Sequence, residues 1–243
     1  MAQAQVEGRR YSVPDQQYTD LCGAGFIHWR LAIGGDSHAR NISRKMRSIM
    51  GYGSYQGGVR LNIGFDNFAQ GGLLAMEYER SELFHQLREC SARIVLLHMG
   101  GNDLDMITRR ERGDVVLDLL ELFVKLEQHG KIVYVVGVPN RHSKRHQEVQ
   151  DLATMQKNIK FINKKLKEIL IGRFIALPPP CFPIDSFAVS ARGERVHFRD
   201  DIYTVATKHI LERLNMDLSG VHTPPSKIEK RVNKFIKDHS GRN

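Results

Sequence analysis

The sequence has few of the residues that mark secreted or membrane-spanning chains. Its three cysteines, Cys22, Cys90 and Cys181, are odd in number and widely spaced, which predicts free thiols in a reducing compartment rather than a disulfide framework. No apolar run reaches transmembrane length, and the polar N-terminus lacks the apolar core of a signal peptide. We therefore expect an intracellular protein, located in the cytoplasm.

Aromatic clusters are also missing, and acidic residues are outnumbered by basic ones. Only 8% of the 243 residues are aromatic, and aromatic side chains are not interleaved with basic ones as in modules that stack on bases. Lys and Arg outnumber Asp and Glu by 36 to 27, which gives a net charge of +9 and a pI near 9.6. This charge predicts non-specific attraction to polyanions, but it carries no information about the fold.

Apolar runs of strand length alternate with segments of helical periodicity. Strands are predicted over residues 26–33, 59–63, 94–98, 132–138 and 174–177, and helices over 38–50, 81–89, 114–129, 148–170 and 200–214, with glycine-rich loops at 51–58 and 67–72. Such alternation indicates right-handed crossovers and a parallel sheet that is covered by helices on both faces. We expect one α/β domain over residues 26–215, after an arm at 1–25 with little structure of its own.

Residues 216–243 are predicted to form a basic tail. Ile228, Val232, Phe235 and Ile236 fall on one helical face, and they are surrounded by Lys227, Lys230, Arg231, Lys234 and Lys237. A basic amphipathic helix can lie on an anionic membrane or bind a partner such as nucleic acid. It can equally pack on the body of the domain and leave its charged face in solvent.

A serine stands where the first predicted strand turns into the first predicted helix. The run Leu31-Ala32-Ile33 is followed by Gly34-Gly35-Asp36-Ser37-His38. Ser37 is therefore expected at the carboxyl end of a strand, where open α/β sheets bind ligands. A serine there is either a nucleophile or the N-cap of the next helix, and this short motif alone does not separate the two roles.

Three further loops at the same sheet edge carry polar groups. They are Gly71-Gly72 after the second strand, Gly100-Gly101-Asn102-Asp103 after the third, and Glu194-Arg195-Val196-His197 before the last helix. With Ser37 they supply a hydroxyl, a backbone N–H, an amide donor, and an imidazole with a carboxylate three residues earlier. Ester hydrolysis through an acyl-serine needs a nucleophile, a base, a group that orients the base, and donors to the oxyanion.

In their order and spacing, these four segments resemble the signature blocks of the SGNH (GDSL-type) hydrolase family. The resemblance covers about residues 26–215. It implies an α/β fold of flavodoxin-like type, a three-layer α/β/α sandwich with a five-stranded parallel sheet. It also implies that Ser37 is the nucleophile, His197 the base and Glu194 the acid, with no cofactor and no metal. The backbone N–H groups of Ser37 and Gly72 and the side chain of Asn102 would form the oxyanion hole.

The chain departs from the family pattern at two positions. The family usually has Asp three residues before the histidine, where this chain has Glu194, and its first block usually reads Gly-Asp-Ser-Leu, where this chain has His38. Some SGNH-like domains encoded by LINE-type retrotransposons are similar in the second respect, which suggests that subclass.

We expect a serine esterase or acyl hydrolase that acts on an ester of a small molecule, a lipid or a carbohydrate. The alternative is a weak or inactive SGNH-like domain of mobile-element origin that binds nucleic acid or another polyanion.

Overall fold

Five parallel strands form the centre of the computed structural model, which describes residues 27–50, 54–56, 59–105, 111–140, 142, 152–190, 195–218 and 225–240. The strands of the sheet are β1 (Ile27–Gly35), β2 (Ser54–Gln56), β3 (Val59–Ala69), β4 (Ile94–His98), β5 (Ile132–Val136) and β6 (Phe174–Ile175). Their order is β2-β3-β1-β4-β5-β6, and only β2 is antiparallel to its neighbour. The chain thus leaves β1 for β3 on one side and returns to β4 on the other, which creates a topological switch point at β1.

Helices cover both faces of this sheet. They are α1 (Ser37–Met50), α2 (Ala75–Glu79), α3 (Glu82–Glu89), α4 (Gly101–Asp105), α5 (Arg112–Gln128), α6 (Leu152–Ile169), α7 (Asp200–Leu218) and α8 (Pro225–Ser240), with 3₁₀ turns at Pro179–Cys181 and Ile184–Ser186. The expected three-layer α/β/α arrangement around a parallel sheet is confirmed.

The apolar core has two parts, one on each side of the sheet. Alternate strand residues point to opposite faces, so Leu31 and Ile33 of β1 pack with α1 and α7, while Ala32 packs with the other helices. All five residues of β4 are buried, as expected for a central strand covered on both faces. Ile228 and Val232 of α8 belong to the same cluster as α5 and α6, so the apolar face of the tail helix packs on the body.

The end of β3 was predicted wrongly from the sequence. The strand was predicted to stop at residue 63, with a loop at 67–72, but it continues to Ala69 in parallel register with β1. Its polar residues suggested a loop, yet the Asp66 carboxylate is paired with the Arg30 guanidinium at 2.8 Å. This ion pair compensates the charge of Asp66 within the strand, which the hydrophobic pattern alone does not predict.

Other boundaries shift by a few residues. Strand β2 lies inside the predicted glycine-rich loop, α2 was not predicted, and α7 runs four residues beyond its predicted end at 214. Strands β5 and β6 end two residues earlier than predicted. The predicted N-terminal arm at 1–25 and the predicted start of α6 at 148–151 lie outside the described residues.

Neither thiol in the described part of the chain forms a disulfide, as predicted for Cys90 and Cys181, whereas Cys22 lies outside it. Burial raises the pKa of the Cys181 thiol to about 12. Across the described ranges, every helix is too short or too polar to cross a bilayer.

Candidate active site

The turn between β1 and α1 depends on a glycine. Gly35 has φ +136°, and a Cβ added there would lie 2.0 Å from the carbonyl oxygen of His98. The Asp36 N–H donates to that same carbonyl at 3.1 Å, which ties the turn to the end of β4. Only a residue without a side chain lets the two strand ends approach this closely.

Asp36, not Ser37, caps helix α1. The Asp36 carboxylate accepts hydrogen bonds from the N–H groups of His38 at 2.9 Å and Ala39 at 3.4 Å, which is the arrangement of an N-cap. Ser37 is the first helical residue. The Ser37 side chain is therefore not needed for capping. Of the two roles that the sequence left open for Ser37, the N-cap role belongs to Asp36 instead.

His197 lies within hydrogen-bond distance of this serine. Its Nε2 is 2.8 Å from the Ser37 Oγ, although 160 residues separate them in the chain. The segment that carries His197 is held by backbone bonds to the second 3₁₀ turn and the residues after it: Ala188 N–H donates to the His197 carbonyl at 2.8 Å, and Arg199 N–H donates to the Ser186 carbonyl at 2.9 Å. Ser37 and His197 thus have the geometry of a nucleophile and its base.

The turn after β3 lies against the serine. A Cβ added at Gly71 would be 3.4 Å from the Ser37 Cβ, and Gly72 has φ +88°. The Asn102 side chain, 3% exposed, donates through Nδ2 to the Leu73 carbonyl at 3.1 Å, so it is bound to the residue that follows this turn. The turn that carries Gly72 thus lies against Ser37 at Gly71 and is bound by Asn102 at Leu73.

The fourth predicted loop is described only in part. Glu194 falls in 191–194, outside the described residues, so its pairing with His197 stays a prediction.

Two buried histidines surround the serine turn. His98, 1% exposed, places Nδ1 3.3 Å from the Asp36 Oδ1, so it contacts the residue that caps α1. His38, also 1% exposed, has Nε2 2.9 Å from the Val196 carbonyl oxygen and Nδ1 3.0 Å from the Tyr203 hydroxyl. Sequence reasoning gave His38 no role, although the histidine in place of the usual leucine was a signal for one.

Behind the turn, the Tyr78 side chain packs against the ends of β1 and β3. The Tyr78 hydroxyl donates to the Phe68 carbonyl at 2.9 Å, and burial raises the pKa of this phenol, which keeps it neutral. A Cβ at Gly34 would lie 2.5 Å from the same hydroxyl. Among the described residues, no three His, Cys, Asp or Glu side chains are grouped to hold a metal ion.

Comparison with solved structures finds the same fold in GDSL-type enzymes. A GDSL-like lipase from Bacteroides thetaiotaomicron matches with a TM-score of 0.56 and 13% identity, over 77% of this chain and 88% of that chain. A member of the lipolytic G-D-S-L family from Veillonella parvula matches with a TM-score of 0.56 and 15% identity, over 76% and 97%. The carbohydrate acetylesterase Est24 from Sinorhizobium meliloti matches with a TM-score of 0.53 and 11% identity, over 77% and 99%.

No protein-family model and no curated protein sequence matches this chain. The resemblance to the SGNH (GDSL-type) hydrolases is confirmed by the structural neighbours, at the level of the fold. The retrotransposon subclass stays a prediction.

Proposed function

We propose that this protein is a serine hydrolase that cleaves carboxylic esters through an acyl-Ser37 intermediate. The observation that carries the proposal is the 2.8 Å contact between the Ser37 Oγ and the His197 Nε2. It occurs at the carboxyl edge of a parallel sheet, beside its topological switch point, where ligands of such folds bind. The neighbours named above are esterases and lipases, which supports the same class of reaction.

The reaction has two acyl-transfer steps. In the first, the Ser37 Oγ attacks the ester carbonyl and its proton passes to the His197 Nε2; the tetrahedral intermediate then collapses, and His197 protonates the departing alcohol. In the second, a water molecule gives its proton to His197 and attacks the acyl-serine. Collapse of this second intermediate releases the carboxylic acid and returns the proton to Ser37.

Donors for the oxyanion are available at the start of α1. The Asp36 carboxylate accepts hydrogen bonds from the N–H groups of His38 and Ala39. Within the described part of the chain, the Ser37 N–H has no hydrogen-bond acceptor. The partial positive charge of a helix N-terminus stabilises an anion at this place. We assign the N–H groups of Ser37 and Gly72 and the Asn102 side chain to the oxyanion hole, where such donors make a large contribution to catalysis.

Glu194 is proposed as the group that orients His197. A carboxylate three residues before the histidine would hold a proton on Nδ1 and stabilise the imidazolium that forms when Ser37 is deprotonated.

Replacement of the nucleophile tests the proposal. Ser37→Ala is expected to abolish hydrolysis of a short-chain aryl ester while the protein stays folded, because Asp36 supplies the helix cap. Ser43→Ala is the matched control, since Ser43 is a buried serine of the same helix. Wild-type turnover in the Ser37 variant would rule out the acyl-serine mechanism.

A second candidate function is binding of a polyanion such as nucleic acid. Exposed basic side chains on two adjacent helices favour it: Lys157, Lys160, Lys164 and Lys167 on α6, and Lys230, Arg231, Lys234 and Lys237 on α8. The helices meet where the Arg231 guanidinium donates to the Glu168 carbonyl at 2.8 Å. An anionic membrane surface would be attracted by the same charges.

A further inference from the structure

The imidazole of His38 joins helix α1 to the segment that carries His197. His38 directly follows Ser37, and its Nε2 is 2.9 Å from the carbonyl oxygen of Val196, the residue before His197. We infer that His38 is a positioning residue of the esterase: as a neutral imidazole, it fixes the backbone beside His197 and so keeps the His197 Nε2 within reach of the Ser37 Oγ. This inference rests on the proposed function and adds a residue to its machinery.

The hydrogen-bond partners of the His38 ring favour one protonation state. A carbonyl oxygen only accepts, so the His38 Nε2 carries a proton and donates it to Val196. The Tyr203 hydroxyl accepts from the Asn41 Nδ2 at 2.9 Å and lies 3.0 Å from the His38 Nδ1, so its own proton is available to that nitrogen. These partners fit a ring that is neutral and protonated at Nε2, with the Tyr203 hydroxyl donating to Nδ1.

The His38 bond is one of two that hold consecutive carbonyls of this segment. The Val196 carbonyl accepts from His38, and the His197 carbonyl accepts from the Ala188 N–H at 2.8 Å. These bonds come from different parts of the fold, one from α1 and one from the residues after the second 3₁₀ turn. Without the first, the peptide that precedes His197 loses its connection to the helix that carries the nucleophile.

A neutral His38 also avoids a second positive charge beside the base. Among the described residues, three titratable side chains have rings within 6 Å of the His38 ring: His98 at the end of β4, His197, and Tyr203 of α7, with ring centroids 5.5, 5.3 and 5.8 Å away. The charged group next to these rings is the Asp36 carboxylate, which contacts His98. A charged His38 would repel the imidazolium that forms on His197, and its Nδ1–H would have to donate to a Tyr203 hydroxyl that already accepts from Asn41.

Two amide substitutions of His38 separate positioning from packing. Glutamine can place its amide nitrogen near the Nε2 position and keep a donor to Val196, whereas the shorter asparagine cannot reach that carbonyl. We expect His38→Asn to lower kcat about 10- to 100-fold with little change in KM, because small displacements of a catalytic group are costly. His38→Gln should recover most of the lost rate.

Two variants of α7 complete the comparison. Tyr203→Phe keeps the ring but removes the hydroxyl beside the His38 Nδ1, and it is expected to lower kcat by about 3- to 10-fold, less than loss of the Val196 bond. This variant decides the question if His38→Asn does not fold. Thr207→Val is the matched control, since Thr207 is fully buried one turn further along α7 and its hydroxyl has no partner within the described residues; its kcat should equal that of wild type.

Nitrogen NMR of the whole chain gives a readout that does not depend on activity. At pH 7 the His38 ring should show a protonated Nε2 and an unprotonated Nδ1. A charged ring, a proton on Nδ1, equal losses in the Gln and Asn variants, or wild-type kcat in His38→Asn and Tyr203→Phe would overturn the inference. If wild type itself lacks turnover and Ser37 is unreactive, the proposed function fails instead, and this role fails with it.

Discussion

At the scale of single residues, the proposed nucleophile Ser37 is free to react because its neighbour Asp36 caps the helix. Asp36 caps α1 with one carboxylate oxygen and lies 3.3 Å from His98 with the same oxygen. Within the described residues, the Ser37 N–H has no hydrogen-bond acceptor, and the Ser37 hydroxyl has the His197 imidazole as its hydrogen-bond partner. Its hydroxyl and its N–H are thus both available to the reaction.

Asn102 should matter mainly in the transition state. Its amide nitrogen is already oriented by the Leu73 carbonyl, so the side chain needs little rearrangement when the oxyanion forms. Asn102→Ala is expected to lower kcat by about 10²- to 10³-fold with little change in KM. Steady-state kinetics on the aryl ester measures both constants, and a loss confined to KM would make Asn102 a substrate-binding residue instead.

Glu194 stands three residues before His197, where the SGNH-type hydrolases that this chain resembles usually have aspartate. Glu194→Gln should reduce kcat by several orders of magnitude at neutral pH, because an amide cannot stabilise the imidazolium and favours the wrong tautomer. Glu194→Asp should keep the activity or raise it, since the segment would then have the shorter side chain typical of the family. The two variants are compared across pH.

The opposing idea is that Glu194 is a solvated loop residue and that Ser37 and His197 act as a dyad. Turnover of the Gln variant at the wild-type rate would establish that idea and remove Glu194 from the site.

At the scale of elements, the connection between β1 and α1 leaves no room for a side chain at Gly35. Gly35→Ala would place a Cβ against the His98 carbonyl, so either β4 shifts or the turn opens. Gly130→Ala is the matched control, since Gly130 has φ +74° and open space around it. The control should cost about 1–2 kcal/mol from backbone strain alone. Gly35→Ala should cost at least about 2 kcal/mol more, from the added steric clash.

Urea unfolding of both glycine variants measures the difference. Equal free energies of unfolding would mean that the close approach of β1 to β4 does not constrain Gly35.

The basic face of α8 is tested by charge reversal rather than by deletion. Removing the helix would expose the core that Ile228 and Val232 fill, whereas Lys230, Lys234 and Lys237 are exposed and can be changed to Glu with the packing intact. If this face binds nucleic acid, log K falls with log salt, and each lost phosphate contact should reduce the slope by about 0.7–0.9.

Binding of a short duplex, titrated at several salt concentrations, gives that slope. An unchanged slope in the triple variant would exclude α8 from the interface, and absence of binding near physiological salt would end the polyanion proposal. Binding to anionic vesicles alone would assign the face to a membrane.

At the scale of the whole molecule, the features that could be predicted from the sequence are those that depend on neighbouring residues. Apolar runs of strand length located the five parallel strands, and the strand-turn-helix around Ser37 followed from Leu31-Ala32-Ile33 and the glycines after it. The end of β3 was missed because the charge of Asp66 is satisfied by Arg30, 36 residues away. The role of His38 was missed for the same kind of reason, since its partner Val196 is 158 residues away.

Covalent labelling of Ser37 tests the central claim most directly. A fluorophosphonate reacts with a serine only where a base activates it and an oxyanion hole receives the developing charge, so it reports the whole site in one step. The labelled peptide of the full chain is mapped by mass spectrometry for wild type and for His197→Ala. We expect stoichiometric modification at Ser37 in wild type and almost none in the variant. Folded wild-type protein that remains unlabelled, or that is labelled at another serine, would contradict the account.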